Sequence, residues 1–265
     1  MANHTGPSGE IASAAGPVFL GVLMTWFLMG VYTMQAHFYF MSYNDPLFVR
    51  VLVITVSALE VAQWITSTSN AWYYLVKNWD NVSVYIAVPW QPPALVTLCG
   101  ITSMIVQGFY AWRIWTIGHN AWLLRLVAVL VGGVSLMQGF SAITAAALVL
   151  RNPNTSEVSR RHELFVVWLA GSLTTDTLIS LGMLWILFKA RVNSPLQSMK
   201  VIFNKVIVNT VKTGAATTIT VAVNLALFGH AQNHRYATTS NYLQKLQATL
   251  FHNAALADIL SLGTP

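Results

Sequence analysis

Seven apolar runs, at about 17–43, 48–72, 93–117, 121–150, 164–189, 203–229 and 243–262, decide what this chain can become. A helix needs about 20 apolar residues to cross the hydrocarbon of a bilayer. Inside lipid every backbone N–H and C=O must find its partner within the protein, which leaves helices or closed barrels. Barrel strands are about ten residues long and alternate strictly in polarity. These runs are longer, rich in Leu, Val and Ala, and do not alternate. The expected fold is therefore all-α: a polytopic membrane protein with a seven-transmembrane-helix bundle over 17–262, preceded by an N-terminal segment, 1–16. That segment lacks the basic start of a secretory signal, so the first run reads as a retained helix. Helix 7 is the least regular run, because His252, Asn253 and Asp258 interrupt it.

Composition agrees. Only 8% of the 265 residues are charged and 55% are hydrophobic, whereas a soluble domain carries roughly 25% charged residues. A soluble enzyme, a disordered chain and a nucleic-acid binder are excluded. The net charge of +6 belongs to topology, since basic residues gather on the cytoplasmic side of membrane proteins. With the N-terminus outside and the C-terminus cytoplasmic, the inner side holds Arg50, Arg113, Arg125, Lys189, Arg191, Lys200, Lys205 and Lys212. The outer side holds Lys77, Arg151, Arg160, Arg161, Arg235 and Lys245. The Asn-x-Ser/Thr sequons at Asn3, Asn81 and Asn154 all fall on that outer side, where glycosylation occurs. Cys99 is the lone cysteine, so no internal disulfide forms.

Charge at bilayer depth costs about 2.5–3.5 kcal/mol per residue on insertion scales and needs a reason. Glu60 and Asp176 each lie about 12 residues, or roughly 18 Å, from a helix end, and are the candidate catalytic or proton-handling groups. Their neighbours repeat at three or four residues, the spacing of one helix face. The rows are Ser57, Glu60, Trp64 and Ser67; Gly100, Ser103, Gln107 and Tyr110; Trp168, Ser172, Asp176 and Ser180; and Asn209, Thr213, Thr217, Thr220 and Asn224, with Lys212 beside the last. Together they suggest a polar interior lined by Gln63, Gln107, Asn209, Lys212 and Asn224 as well as the acids. For the Ser and Thr residues the plainer expectation is interhelical hydrogen bonding. His230, His234 and the His162-Glu163 pair fall on one side, but two histidines four apart in a loop are more often solvated, and neither a metal nor a cofactor is expected. Aromatic clusters around the second loop (Tyr73, Tyr74, Trp79, Tyr85, Trp90) and the third (Trp112, Trp115, Trp122) read as interfacial belts.

One set of residues carries a family resemblance. It comprises Gly16-Pro17, Gly21, Gly30, Gln35, Tyr39 and Asp45; Tyr74-Leu75-Val76, Asn78 and Val88-Pro89-Trp90; Gln107, Phe109-Tyr110 and Trp112-Arg113-Ile114-Trp115; Asp176 and Ile179; Asn204-Lys205, Asn209-Thr210 and Thr213-Gly214; and Leu250-Phe251 with Asn253. Over about 16–261 the chain resembles the fungal, mainly basidiomycete, seven-helix integral membrane proteins of the domain-of-unknown-function 6534 family. The resemblance implies a fungal plasma membrane or endomembrane and the seven-helix fold, but no activity. Glu60 and Gln63 stand where the family carries an Asp and a His, so the acid is kept and the imidazole is not.

Three function classes fit. A receptor-like protein would bind a small hydrophobic or amphipathic molecule, although the Asp-Arg-Tyr and Asn-Pro-x-x-Tyr blocks of G-protein-coupled receptors are missing. A terpene-cyclase-like enzyme would use buried carboxyls as acids. A proton-coupled transporter would relay protons through them. A retinal protein is disfavoured, because Lys245 lies at the outer end of the seventh run and not at mid-depth. The expected partners are the lipid bilayer and a small hydrophobic ligand.

Overall fold

The computed structural model of the chain describes residues 7–42, 46–78, 88–118, 122–151 and 162–193. They form five helices: α1 (Pro7–Ser42), α2 (Leu47–Trp72), α3 (Gln91–Ile117), α4 (Trp122–Arg151) and α5 (His162–Asn193). No strand occurs among the described residues. All five helices are long and apolar enough to cross a membrane, over Val18–Met41, Leu47–Lys77, Gln91–Ile117, Trp122–Arg151 and Val166–Lys189. The protein is an integral membrane protein. The helices fall on the first five apolar runs within a few residues, except that α1 begins at Pro7 and so takes in part of the expected N-terminal segment. The sixth and seventh runs lie outside the described residues, as do the sequons at Asn3, Asn81 and Asn154.

Local chemistry sets the helix ends. Pro46 precedes α2, and Pro92 and Pro93 stand in the first turn of α3, where their missing N–H groups cost nothing. The last turn of the second span loosens into a π-helical turn, Tyr73–Lys77, and Asn78 Nδ2 donates 3.0 Å to the Tyr73 carbonyl. Gly118 closes α3 by donating its N–H to the Ile114 carbonyl at 2.8 Å. A Cβ at Gly118 would lie 2.7 Å from both that oxygen and the Leu124 Cβ, so the tight approach of α4 to α3 requires glycine there.

Threonine is common in these spans for a reason the sequence reading missed. Thr25, Thr33, Thr55, Thr66, Thr68, Thr97, Thr102, Thr116, Thr144, Thr174 and Thr177 each donate to the carbonyl four residues back. Their hydroxyls are thus satisfied inside their own helix, as lipid demands. Interhelical bonds through hydroxyls occur as well: Ser57 bonds Tyr32, and Thr102 and Thr175 accept from Gln63 and Gln107.

Each helix packs antiparallel on the next, and α3 also meets α5 in parallel; the α3–α4 contact is the most extensive. Two apolar clusters hold α3, α4 and α5 together. One contains Val106, Tyr110, Ile114, Leu124, Ala128, Val131, Ile179 and Met183. The other contains Val96, Cys99, Ala142, Ala145, Ala146, Val149 and Trp168. α1 lies on α2 through Trp26 against Trp64, edge to face at 4.7 Å, and through Val18 against Ala71 and Tyr74. The outward surface is apolar: Phe27, Phe38, Phe140, Leu181 and Trp185 are exposed. That is the reverse of a soluble protein and normal for a face that meets acyl chains. At the α3–α4 end, Trp112, Trp115 and Trp122 are also exposed, and the Arg125 guanidinium sits 5.6 Å from the Trp115 ring.

The α3–α4 seam depends on small residues, because lipid removes the hydrophobic drive between helices and leaves close packing to do the work. A Cβ at Gly100 would lie 2.9 Å from the Ala142 Cβ. Gly100→Val should therefore lower the melting temperature in detergent, at a cost of about 1–3 kcal/mol from overpacking. Gly108→Ala, on a face with nothing within 4 Å, should leave the melting temperature unchanged or raise it slightly.

Candidate functional site

Polar side chains gather at mid-depth between the two apolar clusters. Gln107 on α3, Gln138 on α4, and Thr175 and Asp176 on α5 are each at most 2 % exposed. Gln107 Nε2 donates to Thr175 Oγ1 at 2.9 Å and to Asp176 Oδ1 at 3.3 Å. Gln107 Oε1 accepts from Gln138 Nε2. Thr175 has one hydroxyl hydrogen; its nearest acceptor is the Gly171 carbonyl at 2.9 Å, ahead of Gln138 Oε1 at 3.4 Å. Gly171 lets Gln138 approach, since a Cβ there would stand 3.1 Å from the Gln138 Cβ. One amide thus joins three helices, with a carboxyl as its second acceptor.

A second clamp joins α2 to α3. Gln63 Nε2 donates 2.9 Å to Thr102 Oγ1, whose own hydrogen goes to the Leu98 carbonyl at 2.8 Å. The Cys99 thiol donates 3.2 Å to Gln63 Oε1. One turn towards the N-terminus of α2, Glu60 is buried and within electrostatic reach of Tyr32 on α1. Tyr32 and Ser57 meet at 2.8 Å. Ser57 spends its hydrogen on the Val53 carbonyl at 2.7 Å, so the tyrosine is the donor to Ser57.

Of the residues singled out from sequence, Glu60, Gln63, Gln107 and Asp176 are all buried inside the bundle. The structure brings Gln107 to Asp176, and Gln63 to the upper part of α3. Asn209, Lys212 and Asn224 lie outside the described residues, and so do His230 and His234. On α2 the buried polar row is Glu60, Gln63, Ser67 and Asn70, turned slightly from the expected row because Ser57 and Trp64 are only half-buried. Sequence reasoning missed Gln138, Thr175, Thr102 and Asn70. Gln138 had a visible signal: it is the single side-chain amide in the α4 span. No group of three His, Cys, Asp or Glu side chains placed to hold a metal occurs among the described residues.

The Gln107–Gln138 contact lends itself to a double-mutant cycle. Gln138→Leu and Gln107→Leu should each destabilise the protein by about 1–3 kcal/mol, because each orphans a buried partner. The double variant should cost less than the sum, since it removes both ends of one bond. Additive losses in thermal unfolding would mean that the two amides are not coupled.

No family model, no curated protein and no solved structure matches this chain.

Proposed function

We propose that the chain is a seven-helix, receptor-like membrane protein with its N-terminus outside, akin to the fungal domain-of-unknown-function 6534 proteins, that binds a small hydrophobic or amphipathic molecule in a polar-lined interior. The observation that carries this reading is the buried row Glu60, Gln63, Ser67 and Asn70 along α2. Polar residues are expensive at this depth, and a whole helix face of them needs a polar counterpart. Asp176, by contrast, is tied through Gln107 to the packing of three helices. That tie weighs against a carboxyl pair devoted to acid catalysis, and so against the cyclase-like alternative.

The orientation draws on charge. Among the described residues Arg50, Arg113, Arg125, Lys189 and Arg191 stand at one end of the bundle, and Lys77 and Arg151 at the other. The basic-rich end is the cytoplasmic one under the positive-inside rule. Asn3, Asn81 and Asn154 then become glycan acceptors, and Asn81→Gln and Asn154→Gln should each remove one glycosidase-sensitive step in gel mobility. Loss of no step in any sequon variant would reverse the orientation.

Native mass spectrometry of the detergent-purified protein, followed by extraction of what it carries, tests the function. The expected result is one discrete co-purifying amphipath, weakened by Glu60→Gln and retained in Asp176→Asn. Bulk phospholipid alone would overturn the receptor reading and move attention to proton flux in liposomes. Chemical conversion of the co-purified molecule, lost in both variants, would favour the intramembrane enzyme.

A further inference from the structure

The polar row on α2 is not uniform. Towards Glu60 and Gln63 its groups are engaged with α1 and α3, whereas towards the π-helical turn several buried polar atoms have no hydrogen-bond partner among the described residues: Trp64 Nε1, Ser67 Oγ and, on the first turn of α3, Gln91 Oε1. Ser67 and Gln91 are both more than nine-tenths buried. The Gln63–Thr102 bond fixes the antiparallel register of α2 and α3. Counted from it, Gln91 lies about 6–10 Å beyond Ser67 along the axis, and Trp64 about 4.5 Å before it. The three atoms therefore mark one stretch of the same helix pair. Beside them α1 contributes apolar and aromatic walls, Trp26 against Trp64 and Val18 with Val22 against Tyr74.

We infer that this stretch is the head-group site for a neutral, hydroxyl-bearing lipid, taken in between α1, α2 and the start of α3; the inference rests on the receptor-like reading above and names the chemistry of its ligand. An indole N–H can only donate, an amide oxygen can only accept, and a serine hydroxyl does both. A ligand hydroxyl has the same dual character: beside Ser67 it accepts from Ser67 while its hydrogen serves Gln91, or accepts from Trp64 while its hydrogen serves Ser67. Burial without such a partner costs each atom about as much as a lost hydrogen bond. The three groups are all uncharged, and Lys77, the described basic residue nearest to Ser67 in sequence, is exposed at the far end of the π-helical turn. A phosphate or carboxylate head is thus not what these residues would recognise. A sterol and a long-chain prenyl alcohol both carry the required group on an apolar body.

The test uses the full-length protein, stripped of bound lipid, with four probes: ergosterol, farnesol and the methyl ether of each. Binding is read by native mass spectrometry and by the shift in melting temperature. At least one alcohol should bind, and its ether, which cannot donate, should bind about tenfold more weakly, the equivalent of one hydrogen bond. The probe that binds identifies the source as ring or chain. Ser67→Ala and Gln91→Leu should erase the difference between alcohol and ether. In the stripped protein they should leave the melting temperature unchanged or higher, since each deletes an unsatisfied polar atom. If both substitutions lower the melting temperature and leave alcohol binding intact, the atoms are satisfied within the protein and the inference is overturned, with the receptor reading untouched. The same holds if alcohol and ether bind equally. If no probe binds and no molecule co-purifies, both fall together.

Discussion

The interaction on which the rest depends is the hydrogen-bonded layer centred on Gln107. In hydrocarbon, helices gain nothing from burying apolar faces against one another, because lipid is equally apolar. What selects one packing is close contact and polar groups that have no other partner. Gln107 donates to Thr175 and Asp176 and accepts from Gln138, so it can be satisfied only when α3, α4 and α5 stand in one register. Apolar clusters lie on either side of it along the bundle and keep water away. Low dielectric raises both the worth of the layer when complete and the penalty when broken.

The threonines show the same constraint at work locally. Their hydroxyl hydrogens turn back onto their own helices, and a hydroxyl such as that of Thr102 or Thr175 still offers its oxygen to a glutamine of a neighbouring helix. α2 then differs from α3, α4 and α5 in kind. Its buried face carries Glu60, Gln63, Ser67 and Asn70 in sequence, while the three-helix layer concentrates its polarity at one level. A single level suits a lock.

Much of the fold was legible in advance because membrane thickness is a blunt ruler. Apolar length alone placed α2 at 48–72 and α3 at 93–117, against Leu47–Trp72 and Gln91–Ile117 in the structure. Charge made Glu60 and Asp176 conspicuous, and both are buried. The faces were harder. In a soluble helix the exposed side is polar, so periodicity marks the core. Here the lipid side and the core side are both apolar, and that contrast fades. Trp64 was grouped with Glu60 at a valid spacing, yet Gln63 lies deeper. Gln138 was passed over because α4 carries no mid-span charge to draw attention to it, and Thr175 because its neighbour Asp176 overshadowed it. Which amide meets which is a fact of helix packing, and spacing along one chain does not encode it.

The two acids illustrate what this means for function. From sequence they form a pair, equal in depth and chemistry. In the structure their surroundings differ: Asp176 shares the Gln107 amide with its own neighbour Thr175 and with Gln138 on α4, while Glu60 opens a row of neutral polar groups beside Tyr32 of α1. A carboxyl that completes a three-helix layer cannot be removed without disturbing the packing, whatever else it does. Glu60 stands instead in a polar row that runs along the face of one helix, α2. Depth in the membrane therefore nominates both residues, but the company each keeps differs: Asp176 sits in a layer shared by three helices, Glu60 in a row along one helix face.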